Sequence, residues 1–573
     1  MKSLLLLAAT ICCACCSCVQ PKHYPDYSVS SGFALDSLDA RDPQVIENLG
    51  VTCRVWGYVK YHHPVFADST LNVDYELFGL LPQVAKATPE ERNRVLYEWV
   101  KGLGRFNTDK AEYDEALKTV KCTRTADLLW MDDTARLGNA LPRLLRELRY
   151  AKREANRYTD FTANAGNFVM RNESTVGSSD DCGYRMLFLF RFWNVIEYFS
   201  PNRNLTDTPW GEIPEKYIPL FIPGQTPGNP NQAMLLRELC DSHSASVRYN
   251  MFGYNTVPAE VRNADDRVFV IADGPLRKGD EILSIDGRGW KSTHDGLARF
   301  EAASNAENRN YMAAMCMVCS HRDTAAVELV RDGRRMTERI ATRSVMNWSP
   351  YITERMLDTA NIRLLADGIG YMTGVNYTKA DGARIMEKFR DTKALIVDLR
   401  CYPREFMIFD FIGRYFMPRT SPHVIWLAPT GALPGVFHEL QDSLFVNPDN
   451  PAVAENPAYY KGRVIVLVDS STQSQAEYTA MAFQATPRCT VVGTQTAGAD
   501  GNISALVMPG GDFGYFSGLG VLYPDGTNTQ RAGIRIDVPV HATVPGLQAG
   551  RDEILEKALE IIATGAYDPA AKI

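Results

Sequence analysis

The chain has 573 residues, of which 45% are hydrophobic and 23% charged; at roughly 150 residues per domain it holds about three to four domains and is neither disordered nor fibrous. Its 61 Lys and Arg stand against 68 Asp and Glu, a net charge of −7, so no basic excess exists to neutralise a phosphate backbone and nucleic acid is not an expected partner. Of the 13 cysteines, five crowd together at Cys12, Cys13, Cys15, Cys16 and Cys18, and the remaining eight are too sparse for a disulfide scaffold. Cys316 and Cys319 form a lone C-x-x-C without a second pair of ligands nearby, so a metal is not expected there.

The chain opens with Met1-Lys2-Ser3 and the apolar stretch 4–16. That length suits the core of a signal peptide and falls short of the ~20 residues that span a bilayer. Small residues precede Cys18 and polar ones follow it, which resembles a bacterial lipoprotein signal with Cys18 as the acylated residue. Cleavage by ordinary signal peptidase is the alternative, and both readings export the protein to the cell envelope. Residues 1–18 are therefore read as signal, 19–30 as an extended tether and 31–165 as a helical accessory domain. Within the last, Arg54 to Pro64 is echoed by Arg191 to Pro201. Positions 54, 57, 60 and 191, 194, 197 are polar or small, which places them on one stripe of each of two similarly packed helices. His62 and His63, beside Pro64, read as packing or loop residues. The Asn-, Ser- and Gly-rich text of 150–183 predicts a domain boundary, and 183–260 a helical region that includes Gln232 to Cys240.

Residues 262–345 read as a β-rich module. Val268 to Asp273 is a strand, Ile282 to Ile285 another closed by Asp286-Gly287, and a hairpin turns at Asp332-Gly333. The string Lys278 to Gly287 resembles the heart of a PDZ domain, a module that binds peptide ends by strand addition. From 346 to 573 strands alternate with helices: IGYMTGV, DGARIMEKFRD, ALIVDLR, GRVIVLVD, AEYTAMAFQA and CTVVGT. That order predicts a parallel sheet with crossover helices.

The chemistry concentrates at Val464 to Glu477. A strand ends, a polar turn follows and a helix begins at Ser474. Backbone N–H groups at a helix N-terminus can hold an oxyanion, which an acyl-transfer nucleophile needs. Ser474-x-x-Glu477 is equally a capping box that only starts a helix, and the two roles can coexist.

The wider text resembles the C-terminal processing (tail-specific and tricorn-type) family of serine peptidases. The matching segments stand in the family's order: Asp241-Ser242-His243, Val397 to Arg400, Ser474 to Glu477, Val492 to Gly498, and Tyr523-Pro524-Asp525-Gly526 through Asp537. The resemblance covers about 183–560. It implies a multidomain fold, an α/β ClpP/crotonase-like core with an inserted PDZ-like domain and an N-terminal helical domain. It also implies a serine endopeptidase acting on peptide or protein substrates without a cofactor. Ser474 is then the nucleophile, His243 the base and Ser242 its companion. The N–H of Gln475 is one oxyanion donor, and the Arg400-Cys401 turn the source of a second. Two departures stand out. The lysine base of tail-specific members is Ala499 here, and the glutamate of tricorn-type members falls at Gln530, whose neutral amide can orient an imidazole but cannot offset its charge. These departures keep open a second reading, a non-catalytic peptide-binding lipoprotein on the same fold.

Overall fold

The computed structural model describes residues 22–67, 71–153, 155–224, 230–244, 251–345, 362–365, 368–373, 379–403 and 408–567. The signal segment and Cys18 lie outside the described residues. Among those described, no helix is long and apolar enough to cross a membrane. Residues 22–30 are extended but not a free tether. Tyr24 and Tyr27 pack edge-on against Tyr75, and Lys22 Nζ lies 2.8 Å from Glu76 Oε1.

The two echoed segments are helices α1 (Pro43–His62) and α3 (Cys182–Phe199), capped by the side chains of Asp42 and Asp181. Their polar stripes face each other. Asn194 Nδ2 donates to the Cys53 carbonyl at 2.9 Å, and a methyl group placed on Gly57 would lie 1.8 Å from Asn194 Cγ. Around this contact Lys60 pairs with Glu173 at 2.6 Å and Arg191 with Asp74 at 2.7 Å, all four side chains being buried. Asp74 belongs to α2 (Val73–Val84). Gly57→Ala is expected to destabilise the protein by a net of up to ~2 kcal/mol, because ~1–3 kcal/mol of overpacking is offset by a helix-propensity gain of ~1 kcal/mol. Thermal unfolding checks this, and the loss should largely vanish in an Asn194→Ala background, which removes the clashing group.

The boundary expected at 150–183 is absent. One apolar core runs from Phe33 to Leu239 and takes in Leu506, Met508 and Phe516 from the far end of the chain. The Asn-rich text serves as a join rather than a linker. Asn156 donates to the Lys60 carbonyl at 2.7 Å and Asn167 to that of Ile503 at 2.9 Å. Regions 31–165 and 183–260 thus share one core.

The next region is a β-module. Strands β1 (Val261–Ala264), β2 (Arg267–Val270), β3 (Glu281–Ile285), β4 (Thr324–Arg331) and β5 (Arg334–Ala341) form an antiparallel sheet in the order β5-β4-β3-β2-β1. Asp286-Gly287 and Asp332-Gly333 both make their turns with two successive positive φ angles, the geometry that suits the strand twist of a tight hairpin. Helices α4 (Trp290–Phe300) and α5 (Ala306–Met317) supply Leu297 and Tyr311 to a core of the module's own.

The last region holds a sheet of β6 (Ile362–Leu365), β7 (Ile369–Thr373), β8 (Ala394–Asp398), β9 (Arg463–Val468), β10 (Cys489–Gly493) and, after the hairpin β11 (Ile503–Met508) and β12 (Gly511–Ser517), β13 (Val538–Pro539). The order is β6-β7-β8-β9-β10-β13, parallel from β7 onward with β6 antiparallel at one edge. Strands β8, β9 and β10 are buried at every residue, which is why each reads as an unbroken apolar run. One face packs on α6 (Gly382–Phe389) and α7 (Gln475–Gln484), the other on α8 (Glu553–Thr564).

Candidate active site

Strand β9 ends at Val468 and α7 begins at Gln475, so residues 469–474 must reverse the chain at the carboxyl end of the sheet. The turn is tied at several points. Thr472 Oγ1 donates to the Leu399 carbonyl at 2.9 Å, and Asp469 accepts from the Ser471 N–H at 2.8 Å. Asp469 also accepts from Arg262 of β1 at 3.0 Å, which joins the β-module to the turn; the two cations Arg262 and Arg400 keep the buried Asp469 carboxyl below its ordinary range. Ser474 closes the turn with φ 56° and ψ −122°. A non-glycine residue rarely holds such a conformation unless its surroundings impose it, and a strand-to-helix turn strained in this way lifts a side chain out of the backbone. Ser474 is half-buried, and Gln475 is the first residue of α7, where a backbone N–H has no acceptor within the helix.

Glu477 holds the strained turn in place. Its buried carboxylate accepts from the Ser474 N–H at 3.2 Å, Thr496 Oγ1 at 2.5 Å, Gly498 N–H at 2.8 Å and Ala499 N–H at 3.0 Å. The Ser474 N–H also points at the Ala499 carbonyl, 3.0 Å away. Loop 496–499 is thereby locked to the turn. Gly498, at φ 65°, passes so close to Arg531 that a Cβ would lie 2.7 Å from its backbone. Ala499 is buried. Beside it, buried Asp500 accepts from the Gly501 N–H at 2.7 Å with one oxygen, and its other oxygen has no hydrogen-bond partner. Burial pushes the Glu477 carboxyl up to about 7 against the pull of its four donors, and burial together with Glu477 pushes Asp500 far higher. Asp500, the member with a free oxygen and a single donor, keeps the proton.

His243 lies in the turn Asp241–Ser244, closed by the Ser244 N–H on the Asp241 carbonyl at 2.9 Å. Its Nδ1 is 2.9 Å from Ser517 Oγ, at the end of β12, and 3.6 Å from Asp241 Oδ1. Its Nε2 is buried, with no hydrogen-bond partner among the described residues. Burial lowers the imidazole pKa below the usual histidine value, and Asp241 partly opposes that. Gln473 reaches the Ser242 carbonyl at 3.4 Å, while Ser242 Oγ and Ser474 N–H bond to Ala497 and Ala499 at 3.3 and 3.0 Å. The histidine turn and the serine turn therefore flank one loop. No hydrogen bond among those described joins Ser474 to the imidazole.

The structure places three of the expected groups as follows. Ser242 has no hydrogen bond to the imidazole among those described. It exchanges hydrogen bonds with Ser304, each hydroxyl accepting the other's N–H at 2.9 Å. Gln530 is buried, its Oε1 has no hydrogen-bond partner among the described residues, and the Nδ1 side of His243 is occupied by Ser517 and Asp241. In the Arg400-Cys401 turn the Arg400 N–H is bonded to its own Asp398 carboxylate at 3.1 Å. Sequence reasoning did not place Asp241 at the imidazole, although the Asp-x-His spacing carried a signal. It missed Ser517, 274 residues from His243, where no local signal exists.

A cavity of about 500 Å³ lies at the carboxyl ends of β7, β8 and β9, facing the β-module, with Arg262, Lys278, Tyr371, Asp398, Arg400 and Asp469 in its wall. Ser474 and His243 are not among the residues lining it. Among the described residues no group of three or more His, Cys, Asp or Glu is placed to hold a metal ion.

Residues 438–540 match the model of Peptidase family S41. No curated protein matches the chain. Among solved structures, mature CPAF complexed with lactacystin is similar at 12% identity over 67% of this chain and 98% of that one, with a TM-score of 0.50, a likeness of fold. The photosystem II D1 C-terminal processing protease is 16% identical over 65% of this chain and 98% of its own, with a TM-score of 0.36. The tricorn protease is 13% identical over 73% of this chain and 42% of its own, with a TM-score of 0.33. The segment that matches the model of Peptidase family S41 contains the β9–Ser474–α7 turn and the loop that Glu477 locks to it.

Proposed function

We propose that the chain is a serine endopeptidase that cleaves exported polypeptides through an acyl-enzyme, with Ser474 as nucleophile and His243 as base. The observation that carries this reading is the strained backbone of Ser474 at the start of α7, flanked by a buried histidine whose Nε2 has no partner. Ser474 Oγ attacks the peptide carbonyl as His243 Nε2 takes its proton. The same nitrogen returns the proton to the leaving amine, and water repeats the cycle on the ester. A histidine below its ordinary pKa is neutral at pH 7 and ready to accept. The Gln475 N–H and the positive end of α7 face the developing oxyanion. With Ala499 in the lysine position, no amine base is available there. Export and a lipid on Cys18 are supported by the apolar stretch 4–16 and the small residues before Cys18. The β-module, tied to the nucleophile turn by Arg262, suits a PDZ-like peptide-binding role.

The competing reading, peptide binding without cleavage, is favoured by Gln530, which supplies no charge to the site. A fluorophosphonate probe separates the two. Label on the wild type that disappears in Ser474→Ala and in His243→Ala is expected. A folded wild type that takes no label, with or without added peptide, would leave the binding protein as the better account.

A further inference from the structure

We propose that Asp241 and Ser517 are the positioning residues of His243, supplying from the histidine's own turn and from the end of β12 the carboxylate support that Gln530 cannot. The proposal rests on the reading of His243 as the base and adds what makes that base work.

The hydrogen bonds have only one consistent direction. Asp241 is buried, and its carboxylate accepts from the His243 N–H at 3.1 Å, from the Ser517 N–H at 2.6 Å and from Ser517 Oγ at 3.0 Å. A hydroxyl has one proton. With that proton given to Asp241, Ser517 Oγ faces the imidazole as an acceptor, so the 2.9 Å contact is donated by Nδ1–H. The reverse arrangement would strip Asp241 of a donor and set the lone pair of Nδ1 3.6 Å from Asp241 Oδ1. The hydroxyl bridge thus selects the tautomer protonated at Nδ1. Nε2 keeps its lone pair, buried and unengaged. When Nε2 takes a proton during the reaction, the new positive charge lies close to Asp241, the charged group that acts on the ring and opposes its burial. Gln530 carries no charge, and its Oε1 makes no hydrogen bond. The support is built into the fold: Ser244 Oγ donates to the Tyr515 carbonyl at 2.6 Å, which with the Ser517 N–H on Asp241 pins the histidine turn to the backbone of β12.

The test reads the imidazole directly. In the full-length protein with ¹⁵N-labelled histidines, the His243 signal is assigned by its loss in His243→Gln. The expected result is a neutral ring protonated at Nδ1. In Asp241→Asn it should titrate at lower pH, and in Ser517→Ala it should lose its single tautomer. The rate of fluorophosphonate labelling should fall about tenfold or more in Ser517→Ala and on the order of 10³-fold in Asp241→Asn, with Ser517→Thr restoring most of the loss. A purely structural role would lower the melting temperature without moving the tautomer or the titration. A ring protonated at Nε2, or a titration unmoved by Asp241→Asn in folded protein, would overturn the proposal whether or not Ser474 reacts. The expected imidazole behaviour in a protein that takes no label would instead uphold the positioning and sink the assignment of Ser474.

Discussion

Peptide hydrolysis by Ser474→Ala is expected to fall by about 10⁶-fold in kcat, His243→Ala to fall by a similar factor, and the double variant to fall no further. Nucleophile and base act as one unit: without the hydroxyl the base has no proton to take, and without the base the hydroxyl is a weak nucleophile. The residual activity should be about 10³-fold above water, from oxyanion stabilisation and substrate binding. The Gln475 N–H is a backbone group and is present in either variant. Steady-state kinetics on an unstructured polypeptide provide the measurement. Losses that multiply in the double variant would show the two residues acting independently and would end the pairing of Ser474 with His243.

Glu477→Gln and Asp500→Asn are expected to diverge although the two carboxyls are neighbours. Glu477 serves four donors, three of them backbone N–H groups. An amide would turn an NH₂ toward them and leave buried donors unpaired, a loss of about 3–5 kcal/mol. The loop carrying Ala499 would detach from the Ser474 turn, and activity would go with it. Asp500 keeps its proton, so an amide of the same shape should cost under ~1 kcal/mol. The pH dependence carries the sign. Both carboxyls are raised in the folded state. Their stability contribution is therefore full below the unfolded carboxyl values near 4 and is lost as pH rises, for Glu477 up to about 7. Each group adds a slope of at most about 1.4 kcal/mol per pH unit in its window. Asp500→Asn removes one of these slopes, so denaturant midpoints compared at pH 5 and pH 8 should differ less than in the wild type. An equal or larger difference would place the proton elsewhere.

Much of the scaffold was legible from local pattern. ALIVDLR, GRVIVLVD and CTVVGT read as buried strands because residues packed on both faces leave no polar alternation. The Asp286-Gly287 and Asp332-Gly333 turns were legible because few residues accept two successive positive φ angles. The stripes at 54, 57, 60 and 191, 194, 197 marked two helices, and Gly57 against Asn194 is the contact those stripes serve. Ser474 was legible as a helix start, at a polar turn between a buried strand and an alanine-containing helix, and its reading as a nucleophile came from the family resemblance. Misreadings fell where polar text had a distant partner. Asn156 and Asn167 looked like linker residues, yet their amides bind carbonyls of other segments.

The sequence by itself determined the order of strands and helices and the polar turn that carries Ser474. These depend on periodicity and backbone preference within a few residues. Only the tertiary structure decided that Glu477 would lock the loop of residues 496–499, that Ser242 would turn away to Ser304, and that Ser517 would take its place at the imidazole. Each of these depends on which buried donor meets which acceptor once the loops close. That choice follows the cost of leaving a polar group unpaired in a dry interior, and no spacing along the chain records it.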